Sequence, residues 1–293
     1  MSSDSRHSRG LAYGVSAYAV WGLFPLYWPL LKPAGALEIL AHRMVWSLVF
    51  LAFVDAARRN WSDIRAVLTT PRTRNLLAFA AVLISVNWGL YIWAVNSDHV
   101  IDASLGYFIN PLINIALGVI IFRERLRRLQ WVAVGVAALG VSWLTWDAGS
   151  LPWIGLALGL SFGSYGMVKK VANVDAVESL TVETLLLLPL SVGYLVWAEV
   201  NGTAAFAHAG FWQALWSVMA GVVTAIPLLA FGAAAIRIPY STMGIMQYMT
   251  PTMQFLIGLF VFKEDMSPGR WLGFGVIWVA LGIFSFDALR RRG

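Results

Sequence analysis

The segment PLINIALGVIIFRERLRRLQWVAVG, residues 111–135, returns 140 residues later as PTMQFLIGLFVFKEDMSPGRWLGFG, residues 251–275. Pro111, Gly118, Phe122, Glu124, Trp131 and Gly135 recur as Pro251, Gly258, Phe262, Glu264, Trp271 and Gly275, and Glu38 recurs as Glu178 in the same register. The offset holds over most of the chain, so the protein reads as one unit copied and joined to itself, residues 1–147 and 148–293. Many membrane transporters are built from inverted repeats, and a copy that crosses the bilayer an odd number of times must be followed by one inserted upside down.

Composition places the chain in a membrane. Hydrophobic residues make up 59% of the 293 and charged residues 12%, with a mean hydropathy of +0.71. A soluble domain carries roughly a quarter of its residues as charges, so this chain lacks the polar groups to wet a globular surface. A helix needs about 20 predominantly apolar residues to cross a hydrocarbon core of ~30 Å. Ten such runs can be placed, at about 11–31, 37–55, 75–96, 101–122, 130–147, 151–169, 178–198, 211–235, 240–262 and 270–288. The first five shifted by 140 residues fall on the last five. The expectation is an all-α membrane protein of ten transmembrane helices in two inverted five-helix repeats.

Charge supplies the orientation, because Lys and Arg in short loops stay on the cytoplasmic side. With both termini cytoplasmic, seventeen of the twenty-one basic residues fall on that side, Lys169 and Lys170 among them, while Lys32, Lys263 and Arg270 fall outside and Arg43 within a span. The loop at 123–129 carries four arginines, and its counterpart at 263–269 balances Lys263 with Glu264 and Asp265. Tryptophans near span ends, including Trp28, read as interfacial anchors, whereas Trp21, Trp46, Trp88 and Trp93 stay open to a role in a cavity.

The polar residues within the spans point to a path. Pro111 and Pro251 fall near the centres of the fourth and ninth spans, where each removes a backbone donor and bends its helix, so both are candidate hinges. The carbonyls of Tyr107 and Gln247, four residues earlier, lose their helical partner and need another. Tyr107, Asn110 and Asn114 lie on one helical face, and the repeat puts Gln247, Thr250 and Gln254 in the matching slots. Two such stripes are read as facing each other or a water-filled cavity. Asn87, Trp88 and Tyr91 of the third span meet only Pro227, Leu228 and Phe231 in the second copy. A substrate is asymmetric, so such departures from the repeat are the leading candidates for recognition, with Tyr165 a further one.

Arg43 and Glu183 are repeat counterparts. Side chains lean toward the N-terminus of their helix, so the two reach for opposite faces, either snorkelling or lining the two mouths of a path. His42 beside Arg43 is the one intramembrane histidine and a candidate proton carrier. The glycines at 155, 159 and 163 allow close helix approach.

Several function classes are absent. There is no Gly-rich phosphate loop ending in Lys-Ser/Thr, no His-Glu-x-x-His and no cysteine, so neither nucleotide hydrolysis nor an enzyme is expected, and no cofactor or metal. The basic residues form no stripe interleaved with aromatics, so nucleic acid is not an expected partner.

The stretch Ala103-Ser-Leu-Gly-Tyr-Phe-Ile-Asn-Pro-Leu-Ile-Asn114, together with Arg123-Glu-Arg125, Ala36-Leu-Glu-Ile-Leu-Ala-His-Arg43 and Gln247-Tyr-Met-Thr-Pro251, resembles the RarD branch of the EamA transporters, within the drug/metabolite transporter superfamily. The resemblance covers nearly the whole chain. It implies ten helices in two inverted repeats, a multi-pass location in the bacterial inner membrane, and export of small organic molecules without ATP. The expected function is a secondary transporter exporting amino acids, aromatic and other neutral ones first. A multidrug or chloramphenicol exporter is the alternative, and a membrane channel or scaffold the alternative of another class.

Overall fold

The computed structural model describes residues 3–96, 100–147, 149, 153–261, 263 and 267–289, and helices are the only regular structure among them. Phe262, Glu264, Asp265, Arg290, Arg291 and Arg292, used above for the repeat and the charge count, lie outside the described residues.

The chain runs through α1 (Ser3–Gly22), a short α2 (Phe24–Tyr27) and a tight turn of helix (Trp28–Leu31), then α3 (Ala36–Arg58) and α4 (Trp61–Thr69). There follow α5 (Pro71–Asn96), α6 (Val100–Ile120), α7 (Arg128–Asp147), α8 (Trp153–Ala172), α9 (Ala176–Val200), α10 (Phe211–Ala235), α11 (Tyr240–Met246), α12 (Met249–Phe260) and α13 (Pro268–Leu289). Among the described residues, five helices are long and apolar enough to cross a membrane, within α3, α5, α7, α9 and α10, and α6 and α13 contain shorter apolar stretches. Each apolar run expected above is helical over most of its described residues. α4 was not expected. It is a short amphipathic helix that tucks Ile64 against Leu77 and Val182 while its other face stays exposed.

Contacts between the two halves come in mates. α3 packs on α10, and its repeat counterpart α9 packs on α5; α1 packs on α10, and its counterpart α8 packs on α5; α1 touches α12, and α8 lies along α6. α7 and α13, counterparts of each other, pair directly, as do α3 and α9. Small residues set the closeness: Cβ atoms on Gly159 and Gly163 of α8 would press on Asn110, Ile113 and Asn114 of α6, so these glycines let α6 reach its position.

Two spans are broken, each by a proline. Pro25 has no N–H for the carbonyl of Trp21, and that oxygen instead accepts from Gln254 Nε2 at 3.2 Å. The carbonyl of Tyr18 accepts from Thr250 Oγ1 at 2.9 Å. In the second copy the helix stops at Met246 and restarts at Met249, ahead of Pro251, and the Gln247 carbonyl accepts from the Thr250 amide at 3.1 Å. That carbonyl is therefore satisfied within its own turn, contrary to the expectation that it needs an outside partner. α6 runs without interruption through Pro111, so the two prolines of the repeat have unequal effects.

Candidate functional site

A cavity of about 260 Å³ lies where α1, α2, α3, α5, α6, α8 and the α11–α12 break converge. Its walls are Tyr18, Trp21, Phe24, Pro25 and Trp28 from the broken first span, Arg43, then Asn87, Trp88 and Tyr91 from α5, and Tyr107 and Asn110 from α6. Leu158, Phe162, Leu228, Gln247, Thr250, Pro251 and Gln254 complete it. Residues on both sides of the breaks in the first and ninth spans line the space.

A wholly buried aromatic layer of Tyr18, Tyr165, Phe231 and Tyr240 backs the cavity, with Tyr18 belonging to both. Tyr165 and Phe231 stack with centroids 6.0 Å apart, and Tyr240 Oη donates to the Gly163 carbonyl at 2.7 Å. Below this layer Glu124 accepts from the backbone amides of Tyr240 and Ser241 at 2.7 and 2.9 Å, fastening the start of α11, and Lys170 donates to the Ile238 carbonyl at 2.7 Å.

Arg43 is the single charged side chain among the lining residues. Its Nε donates to Thr224 Oγ1 at 2.8 Å, and its guanidinium carbon sits 4.4 Å from the Trp88 ring centroid and 5.2 Å from that of Trp28. Tyr91 and Tyr107 line the same cavity. No carboxylate of the described residues forms an ion pair with it. Snorkelling to a face does not describe this residue, since it points into the cavity and is held there by two indoles.

The other expected residues divide. Asn87, Trp88, Tyr91, Tyr107, Asn110, Gln247, Thr250 and Gln254 all line the cavity, as does Pro251. Several of their donors are already committed: Asn87 Nδ2 donates to the Leu158 carbonyl and Ser161 Oγ at 2.8 and 2.9 Å, and Asn114 Nδ2 donates to Gln247 Oε1 at 2.5 Å. The two polar stripes do meet, and much of their polarity joins helix to helix. The Tyr18 hydroxyl and Asn110 Oδ1 keep no partner among the described residues.

Asn114, Tyr165, Pro111, His42 and Glu183 are absent from the cavity wall. Asn114 is fully buried behind it. His42 is turned about α3 away from Arg43 and packs on Phe206 with centroids 4.5 Å apart, accepting from Trp46 Nε1 at 3.2 Å. Glu183 receives Lys169 Nζ at 2.6 Å and Tyr165 Oη at 3.0 Å, with Ser179 bridging the pair. Lys169 is thus a buried partner of Glu183, only 3% exposed, and not the free loop charge that the charge count took it for. Its long stem, rooted in the last turn of α8, turns back into the bundle.

Trp28 was read as an interfacial anchor, and it flanks Arg43 instead. Tyr18, Phe24 and Pro25 were not foreseen in the wall; the available signal was Pro25 within the first apolar run, a proline inside a span as Pro251 is in the ninth.

The EamA-like transporter family model matches residues 8–146. Protein RarD of Streptomyces exfoliatus is 52% identical over 99% of this chain and 92% of its own length. An uncharacterized transporter of Pseudomonas aeruginosa is 46% identical over 96% of this chain and 95% of its own. One crystal structure of a protein 15% identical superposes with a TM-score of 0.76 over 98% of this chain and all of the other, which is a likeness of fold.

Proposed function

Because the chain belongs to the RarD-like branch of the EamA membrane transporters, we propose that it exports small organic metabolites across the bacterial inner membrane by alternating access, with neutral and aromatic amino acids as its first substrates. In this reading the chain makes ten crossings, residues 1–147 and 148–293 are the two inverted repeats, and both termini are cytoplasmic. The observation that carries the reading is the aromatic-walled cavity at the convergence of the two halves, backed by the buried Tyr18–Tyr165–Phe231–Tyr240 layer, which in this reading shuts it toward the cytoplasm. This is then a conformer closed to the cytoplasm, and its alternate opens by parting that layer. Pro251, beside the helix break, is the stronger hinge, and Pro111 the weaker because α6 stays continuous.

Size favours metabolites over drugs. Pockets for drug-sized ligands run from about 300 to 1,000 Å³, and about 260 Å³ lies just below that range. The aromatic wall keeps a multidrug or chloramphenicol exporter as the second reading. Flux of labelled phenylalanine, methionine and threonine into proteoliposomes decides: saturable uptake supports the proposal, and the absence of saturable uptake for all three sinks the amino-acid class. Flux that rises without saturating identifies a channel, and chloramphenicol transport without amino-acid competition identifies the drug exporter.

A further inference from the structure

We propose that Arg43 is a carboxylate fork, so that the site selects small monocarboxylates with an apolar body and does not require the ammonium of an amino acid. The inference rests on the transport reading of this cavity and deepens it.

Three observations support it. First, the guanidinium is preorganised. Its Nε is tied to Thr224 Oγ1 at 2.8 Å and indoles of Trp88 and Trp28 lie 4.4 and 5.2 Å from its carbon, so the group is held while its terminal nitrogens are left for a ligand. A planar guanidinium presents parallel N–H donors that match a carboxylate at two points, which a lysine ammonium does not. Second, the charge is unanswered: among the lining residues there is no Asp or Glu, and no carboxylate of the described residues forms an ion pair with Arg43. A cation in a low-dielectric site is stabilised by an entering anion, and one positive charge suits a monoanion better than a phosphate dianion. Third, nothing comparable awaits a cation. An ammonium finds amide and phenol oxygens here but no carboxylate, and it enters a cavity that already holds Arg43. The two ends of a zwitterion are therefore recognised unequally, with the aromatic wall taking the apolar body and Arg43 the carboxylate.

The experiment titrates the purified full-length protein with three probes, read by calorimetry: 3-phenylpropanoate, with a carboxylate alone; L-phenylalanine, with both charges; and phenethylamine, with an ammonium alone. The expected result is that 3-phenylpropanoate and phenylalanine bind within about threefold of each other while phenethylamine binds at least about tenfold more weakly, the discrimination of one charge-assisted bidentate pair. Arg43→Lys and Arg43→Gln should each weaken 3-phenylpropanoate at least about tenfold, the lysine failing because it lacks the fork. Equal or tighter binding of phenethylamine, no binding of 3-phenylpropanoate, or unchanged 3-phenylpropanoate affinity in Arg43→Gln overturns the proposal. If the Arg43 variants do not fold, the ranking of the probes on the unaltered protein decides by itself. Failure of amino-acid flux with this ranking intact sinks the amino-acid reading and leaves the carboxylate site standing.

Discussion

Arg43 and Glu183 occupy the same slot of the repeat, 140 residues apart, and the two copies have done opposite things with a charge there. In the second copy Glu183 is closed off. Lys169, Ser179 and Tyr165 satisfy its two oxygens, and the pair is 3% and 2% exposed. In the first copy Arg43 faces a cavity, tied at one nitrogen to Thr224 and flanked by indoles, with no carboxylate of the described residues beside it. Both are buried charges, yet one has its counter-charge within the protein and the other has none among the described residues. On the carboxylate proposal, the difference separates a charge that holds the bundle from a charge that awaits a ligand.

The sharpest way to break that contrast is Glu183→Gln. Removing one partner of a buried pair leaves the other charge uncompensated, at about 3–5 kcal/mol. The expected outcome is a large fall in unfolding free energy in detergent, mostly recovered when Lys169→Met is added, since an apolar replacement of both partners is often neutral. A single variant as stable as the parent shows that the Glu183 site holds nothing together. If the double variant stays stable but transport is lost, the pair carries coupling as well as structure.

A smaller effect is expected at Glu124, whose carboxylate fastens the start of α11 through the amides of Tyr240 and Ser241 and lies 3.7 Å from Lys170. Glu124→Ala removes a helix cap, at about 0.5–2 kcal/mol. Tyr240 belongs to the aromatic layer behind the cavity, so if that layer is the cytoplasmic closure of the proposed transport cycle, the loss should also loosen it. The chain has no cysteine, so a single Leu228→Cys in the cavity wall reports on access without interference. Labelling from the cytoplasmic side should speed up in the Glu124→Ala background. Unchanged labelling places Glu124 among the static contacts, with Glu183 and not with the moving parts.

Fold and site were legible to different depths. Length and hydropathy suffice for the helices, because a span must satisfy every backbone group internally and so announces itself as a long apolar run. Asn87, Trp88, Tyr91 and Tyr107 were legible as wall residues because polar and amphipathic groups inside spans are unfavourable against lipid. Which of their atoms face a ligand was not legible. The Asn87 amide turned out to be spent on Leu158 and Ser161 of α8, and the Gln254 amide on the carbonyl that Pro25 leaves free. Trp28 escaped because a tryptophan near a span end looks the same in sequence whether it meets headgroups or a guanidinium. Lys169 escaped for a related reason: a basic residue in the last turn of a span counts as a loop charge until its stem is seen to fold back on Glu183.

The smallest change in stability is expected at Arg43, and it is the most informative. A charge within the bilayer is unfavourable by about 2.5–3.5 kcal/mol on insertion scales. Against this stand contacts with two indoles, about 2 kcal/mol when desolvated, and a charged hydrogen bond of about 1.5–3 kcal/mol. The favourable terms outweigh the unfavourable one by only about 0–2.5 kcal/mol, so Arg43→Gln should lower the unfolding free energy by about 1 kcal/mol without ligand. Saturating 3-phenylpropanoate should then raise the melting temperature of the parent and not of the variant, because only a ligand that binds the folded state stabilises it. A loss as large as that expected for Glu183→Gln, with no ligand-dependent difference, makes Arg43 a second structural charge and removes the distinction between the two copies.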